Sequence, residues 1–214
     1  MKSVFASWVV GLCLTVFMAF SAFAQAKPLR ILALGDSLTA GYGLPGEQSF
    51  TSVLQRALTS AGYENVIVNN AGVSGDTSTG GLARLDWALG EGADAAIVEL
   101  GANDMLRGIN PAETEKALDA ILTKFSERGI PVLLAGMVAA PGMGRDYEGQ
   151  FNSIFARLSE KHGALLYPFF LDGVANERKF LLNDGMHPNR DGVEEVVRRI
   201  LPKVRELLAR VKSS

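Results

Sequence analysis

From Leu29 onward the chain alternates short, near-continuous apolar runs with longer segments of helical period, and this alternation restricts the fold more than any other feature. A run that is apolar on both faces must be covered on both faces. Parallel strands between two layers of helices meet that condition. The spans 29–34, 66–70, 95–100, 131–136 and 164–167 are predicted as five strands of one sheet. Helices are expected at 50–61, 77–89, 111–128, 145–161 and 191–211. In the last of these, Val193, Val196, Val197, Ile200, Val204, Leu207, Leu208 and Val211 fall on one face. No repeat, charged block or low-complexity linker divides this part, so residues 25–214 are expected to form a single α/β domain.

Residues 1–24 have a different composition. A positive charge at Lys2, an apolar run over 9–20 and small residues at Ala22 and Ala24 have the pattern of a cleavable export signal. Gly11, Thr15 and Ser21 interrupt the run, so it is a poor membrane span. Cleavage is expected after Ala24, with Ala26 as the alternative, and the product is expected in the periplasm or outside the cell. The sole cysteine, Cys13, lies in this segment, so the remainder must hold its fold by packing, without disulfides or thiolate metal sites. The formal charge is −2 with both signs interspersed. That pattern lacks the footprint of a nucleic-acid binder or a polybasic membrane patch and leaves a small molecule as the expected partner, with no stable membrane insertion after cleavage.

In a parallel sheet the crevice beyond the strand carboxyl ends receives ligands. Gly35-Asp36-Ser37-Leu38-Thr39 follows the first strand, Gly72-Val73-Ser74-Gly75-Asp76 the second and Gly101-Ala102-Asn103-Asp104 the third. Asp184-Gly185-Met186-His187-Pro188 precedes the last helix. Acyl transfer requires a hydroxyl nucleophile, an imidazole base, a carboxylate to orient it and donors where the oxyanion develops. Ser37 supplies the hydroxyl and a backbone N–H. Gly75 can present an N–H without a Cβ in the way, Asn103 has a side-chain NH₂, and Asp184 lies three residues before His187.

Each residue has an ordinary alternative: a Ser or Asx turn at Asp36-Ser37, a turn glycine at 75, a helix cap at Asn103-Asp104, a polar cap at His187. Four such segments at one sheet edge, each with the residue type acyl transfer needs, outweigh those alternatives. The chain has two histidines. His162, at a helix end before Gly163, suits a helix C-terminus, whereas His187 is in a loop behind Asp184. Two imidazoles are also too few for a histidine-rich zinc site.

Together, Gly-Asp-Ser-Leu, the glycine of the second segment, Gly-x-Asn-Asp and Asp-x-x-His-Pro resemble the SGNH, or GDSL, hydrolase family. The stretches 35–43, 73–77, 98–108 and 184–191 are similar to its bacterial periplasmic thioesterase/lysophospholipase/arylesterase branch. The resemblance implies a three-layer α/β/α flavodoxin-like fold around a five-stranded parallel sheet. It implies a Ser37, Asp184, His187 triad, an oxyanion hole from Ser37, Gly75 and Asn103, and no cofactor or metal. The substrates it implies are aryl esters, acyl thioesters and lysophospholipids.

A carbohydrate acetylesterase would share this site, and a non-catalytic binder of acyl ligands could share the crevice. Gly41-x-Gly43-x-x-Gly46 formally matches a dinucleotide fingerprint, but it lies too far past the strand, and Asn69-Asn70 stands where an acid is required. The spans 76–82, 105–109 and 137–143 are candidates for contact with the acyl group. The Gly- and Pro-rich span 139–144 is expected to move for want of anchors.

Overall fold

A computed structural model describes residues 27–90 and 92–211, so the expected export signal lies outside the described residues. The elements in chain order are β1 (Leu29–Gly35), α1 (Ser37–Ala40), α2 (Phe50–Ser60), β2 (Val66–Gly72), α3 (Ser78–Ala88), β3 (Ala95–Glu99), α4 (Ala102–Leu106), α5 (Pro111–Glu127), β4 (Val132–Ala135), α6 (Arg145–His162), β5 (Leu165–Tyr167) and α7 (Arg190–Ala209). The sheet is parallel throughout, in the order β2-β1-β3-β4-β5, which is the flavodoxin-like order. Helices α2 and α7 pack together on one face; α3, α5 and α6 pack side by side on the other.

Burial follows strand position. β3 and β4 are buried along their whole length and β1 from Ile31 onward. The edge strand β2 is only partly covered, with Ile67 and Asn70 exposed. Coverage on both faces therefore describes the centre of the sheet better than its rim. The predicted face of α7 is buried from Val193 to Leu208, but the helix begins at Arg190 and ends at Ala209, leaving Val211 outside it. Asn189 opens it by accepting from the Gly192 N–H, and Asn110 opens α5 by accepting from the Ala112 N–H ahead of Pro111.

Strand register aligns the edge where the motifs lie. Gly35 at the end of β1 is opposite Gly72 of β2 and Glu99 of β3, and Glu99 is opposite Ala135 of β4. The residues that follow each strand therefore emerge side by side.

Candidate active site

Asp36 follows β1 and caps α1, its Oδ1 accepting from the Leu38 N–H at 3.0 Å. This turn makes Ser37 the first residue of a four-residue helix, mostly buried. His187 arrives from 150 positions later, its Nε2 2.9 Å from the Ser37 Oγ. Its Nδ1 lies 2.7 Å from the Asp184 Oδ2, while the Asp184 Oδ1 accepts from the N–H groups of Met186 and His187 at 2.9 and 3.0 Å. The Asp-x-x-His spacing thus closes as an Asx turn. The Leu182 N–H donates to the His187 carbonyl at 2.8 Å, and Leu181 bridges Pro188, fixing the loop on both sides.

The N–H groups of Met186 and His187 hold the Asp184 carboxyl down at about 2. An anion beside Nδ1 keeps the proton on that nitrogen, which leaves Nε2 as the acceptor for the Ser37 hydroxyl.

Gly75 has φ +86°, and a Cβ built there would find nothing nearer than the Arg107 guanidinium at 3.6 Å. Backbone conformation, more than space, calls for glycine at this position. Arg107 donates to the Gly75 carbonyl at 2.6 Å. The Asn103 Nδ2 donates to the Asp36 Oδ2 at 2.9 Å, so one amide hydrogen is held by the residue preceding Ser37 and the other remains for a ligand.

Arg84 joins the first two strand ends. It donates to the Gly35 carbonyl (2.9 Å), the Ala71 carbonyl (2.8 Å) and the Asp76 carboxylate (2.5 Å). Buried Asp104 accepts from the Ser78 N–H (2.7 Å) and hydroxyl (2.5 Å) and from the Thr114 hydroxyl (3.0 Å), tying the start of α3 to α4 and α5. The span 76–82 is therefore committed to structure: Asp76 to Arg84, Thr77 to capping α3 and Ser78 to Asp104. The span 139–144 is irregular, as its composition implies, but three of its backbone N–H groups have partners. The N–H groups of Ala139, Ala140 and Gly142 bond to the Asn152 side chain, the Met105 Sδ and Glu148. None of these three anchors lies within the span, so its own composition could not indicate them.

Two buried acids lie behind Ser37. The Glu99 Oε2 accepts from the Thr39 hydroxyl at 2.8 Å, whereas Oε1 is buried without a partner. Burial first, and the Asp36 charge second, push Glu99 well above the usual carboxylate range. Burial also raises Asp36, to about 6, although the Leu38 N–H and the Asn103 amide oppose the shift. Glu99 is pushed further from its ordinary value than Asp36, whose carboxylate the Leu38 N–H and the Asn103 amide favour.

The other histidine lies elsewhere. His162 is in the last turn of α6 before the left-handed Gly163, its Nε2 2.6 Å from Asp119 on α5. Sequence reasoning placed His162 correctly but did not find Asp119, 43 positions away. It also passed over Tyr42, whose ring lies against that of His187 with centroids 4.5 Å apart. Tyr42 belongs to the Gly41-x-Gly43 stretch, where Gly41 takes the left-handed C-cap of α1.

A hydroxyl, an imidazole and a carboxylate in series at the edge of a flavodoxin-like sheet make up the layout of a serine hydrolase. The chain belongs to the GDSL-like lipase/acylhydrolase family, whose model matches residues 33–194. It is 37% identical over 185 residues to esterase TesA of Pseudomonas aeruginosa, covering 86% of this chain and 92% of that one. An arylesterase of Vibrio mimicus is 38% identical over 178 residues, covering 83% and 88%. Thioesterase 1/protease 1/lysophospholipase L1 of Escherichia coli K12 is 36% identical over 177 residues, covering 82% and 83%. Among solved structures, the SGNH-hydrolase family esterase AlinE4 superposes with a TM-score of 0.72 at 44% identity, covering 86% of this chain and 99% of that one.

Proposed function

We propose that this hydrolase cleaves carboxylic esters and thioesters through an acyl-enzyme on Ser37. One observation carries the reading: a single imidazole bridges Asp184 at 2.7 Å and the Ser37 hydroxyl at 2.9 Å. His187 takes the Ser37 proton as the oxygen attacks the carbonyl, then delivers it to the departing alcohol or thiol. The Ser37 and Gly75 N–H groups and the free hydrogen of the Asn103 amide stabilise the oxyanion. Water then repeats the sequence on the acyl-enzyme and releases the acid.

The names esterase, arylesterase and thioesterase/lysophospholipase among the relatives favour aryl esters, acyl thioesters and lysophospholipids as the substrate range. Leu106, at the end of α4, and Val138, in the loop after β4, are exposed apolar side chains and suit contact with an acyl chain. We also propose that residues 1–24 direct export and are removed, on the strength of their composition.

A fluorophosphonate probe should label the protein at Ser37, and labelling should be lost in His187→Ala. The panel to run beside it comprises p-nitrophenyl acetate, longer p-nitrophenyl esters, acyl-CoA, lysophospholipid and an acetylated sugar. Unlabelled protein that still binds fatty acid would refute the enzymatic reading, and turnover confined to the acetylated sugar would refute the substrate range.

A further inference from the structure

Both nitrogens of the His187 ring are engaged in the plane of the imidazole, one by Asp184 and one by Ser37. The faces of the ring remain for a further group, and one of them is occupied. The Tyr42 ring lies against it with centroids 4.5 Å apart and a 36° tilt, although about half of Tyr42 remains open to solvent (51 %). The position of its backbone brings the ring within reach of His187.

That backbone is built from the nucleophile's own turn. The N–H groups of Gly41 and Tyr42 both donate to the Ser37 carbonyl, at 3.1 and 3.0 Å. Gly41 is left-handed (φ +84°) and packed against Ser49, where a Cβ would come within 2.6 Å of the serine Cβ. The turn that presents the Ser37 hydroxyl to the imidazole from one side therefore delivers an aromatic ring to its face from another.

We propose that Tyr42 is a positioning residue that stabilises the imidazolium form of His187 as Ser37 gives up its proton, through the negative face of its ring. The inference rests on the Ser37–His187 reading given above. Before proton transfer His187 is neutral and gains little from the ring quadrupole. After transfer it is a cation stacked on an aromatic face and partly shielded from water, and the attraction acts on the charged state alone. Such an interaction raises kcat in preference to tightening substrate binding. The phenol hydroxyl has no part in it. Nothing in the span from Ser37 to Tyr42 marks the tyrosine for this role, because its partner lies 145 positions later.

The test compares Tyr42→Phe, which keeps the ring, with Tyr42→Leu, which keeps an apolar cover but has no π face. The substrate is p-nitrophenyl acetate, whose two-carbon acyl group makes little use of a chain-binding surface. Phe is expected to retain at least half of the parent kcat. Leu is expected to lower kcat by about 2- to 30-fold, the range that cation–π energies allow, with KM within twofold.

Equal kcat in Leu and Phe would overturn the proposal, as would a loss in Phe as large as in Leu. A rise in KM at constant kcat in Leu would also overturn it, since Tyr42 would then be a substrate contact. Circular dichroism and melting temperature establish that both variants are folded. His187→Ala in the same assay separates the two levels of inference: if it retains turnover, the Ser37–His187 reading fails first. If it is inactive, the comparison of Phe with Leu decides the role of Tyr42 alone.

Discussion

Two aspartate–histidine pairs of nearly identical contact distance, Asp119–His162 at 2.6 Å and Asp184–His187 at 2.7 Å, occupy different environments. In the first, Nε2 meets the carboxylate, the ring sits at the C-terminus of α6, and Lys161 shares the same acid at 2.7 Å. Lys161 contributes more than His162 to holding Asp119 below the usual carboxylate range. In the second, Nδ1 meets the carboxylate, two backbone N–H groups anchor the acid, and Nε2 points at a hydroxyl. Contact distance therefore does not distinguish the pair at the end of α6 from the one proposed to act on Ser37. What distinguishes them is which nitrogen the carboxylate takes and what the other nitrogen faces.

Removing each imidazole gives the largest contrast. His187→Ala should lower kcat/KM by about 10⁴-fold or more, as should Ser37→Ala, because the hydroxyl and its base act as one unit. His162→Ala should leave kcat/KM within twofold. The His162 hydrogen bond to Asp119 is worth about 1 kcal/mol, so the variant should lower Tm by about 2–4 °C. A tenfold loss of activity in His162→Ala would abolish the distinction between the pairs. The two acids follow at smaller amplitude. Asp184→Asn should reduce kcat by about 10²- to 10⁴-fold with KM little changed, since an amide beside Nδ1 no longer enforces the tautomer that accepts from Ser37. Asp119→Asn should leave both parameters unchanged.

The histidines also mark how far the sequence could be read. His187 was legible because its acid is three residues away and a local turn is enough to join them. Asp119 was not, because it lies on α5 and meets His162 only once α5 and α6 pack. The five strands were legible from apolar runs, and the flavodoxin-like fold followed from the family resemblance. Helices α1 and α4, of four and five residues, were not, since neither is long enough to show a helical period. Gly75 and Asn103 could be named from their place after strands. The atoms that hold them, Arg107 against the Gly75 carbonyl and Asp36 against the Asn103 amide, are tertiary contacts between segments that no local pattern links.

A buried acid provides a contrast with both surface pairs. Burial raises Glu99 above its ordinary 4.5, so the native state keeps a proton that the unfolded chain releases. Stability should therefore fall as pH rises from about 4.5 through the raised value. Glu99→Gln keeps an oxygen for the Thr39 hydroxyl and cannot ionise. Between pH 5 and 9 the parent should lose several degrees of Tm more than this variant. Parallel Tm curves over that range would mean that Glu99 is already ionised in the folded protein.

The smallest effect bears most directly on whether the two pairs differ in function alone. Asp119 and Asp184 are both depressed below 3.8, Asp184 to about 2, so each stabilises the fold above 3.8, and the contribution disappears as pH falls through the depressed value. Both carboxylates are close to solvent, which screens them, so Asp119→Asn and Asp184→Asn should each lower Tm at pH 6 by no more than about 2–4 °C. For Asp184→Asn the gap from the parent should narrow below pH 3.8 and close near pH 2. If Asp119→Asn behaves alike, the pairs are equivalent in stability and differ only in what the second ring nitrogen faces. If Asp184→Asn instead matches or exceeds the parent Tm at pH 6, the loop carries its charge at the expense of stability, and the pair was shaped for the chemistry at Ser37 alone.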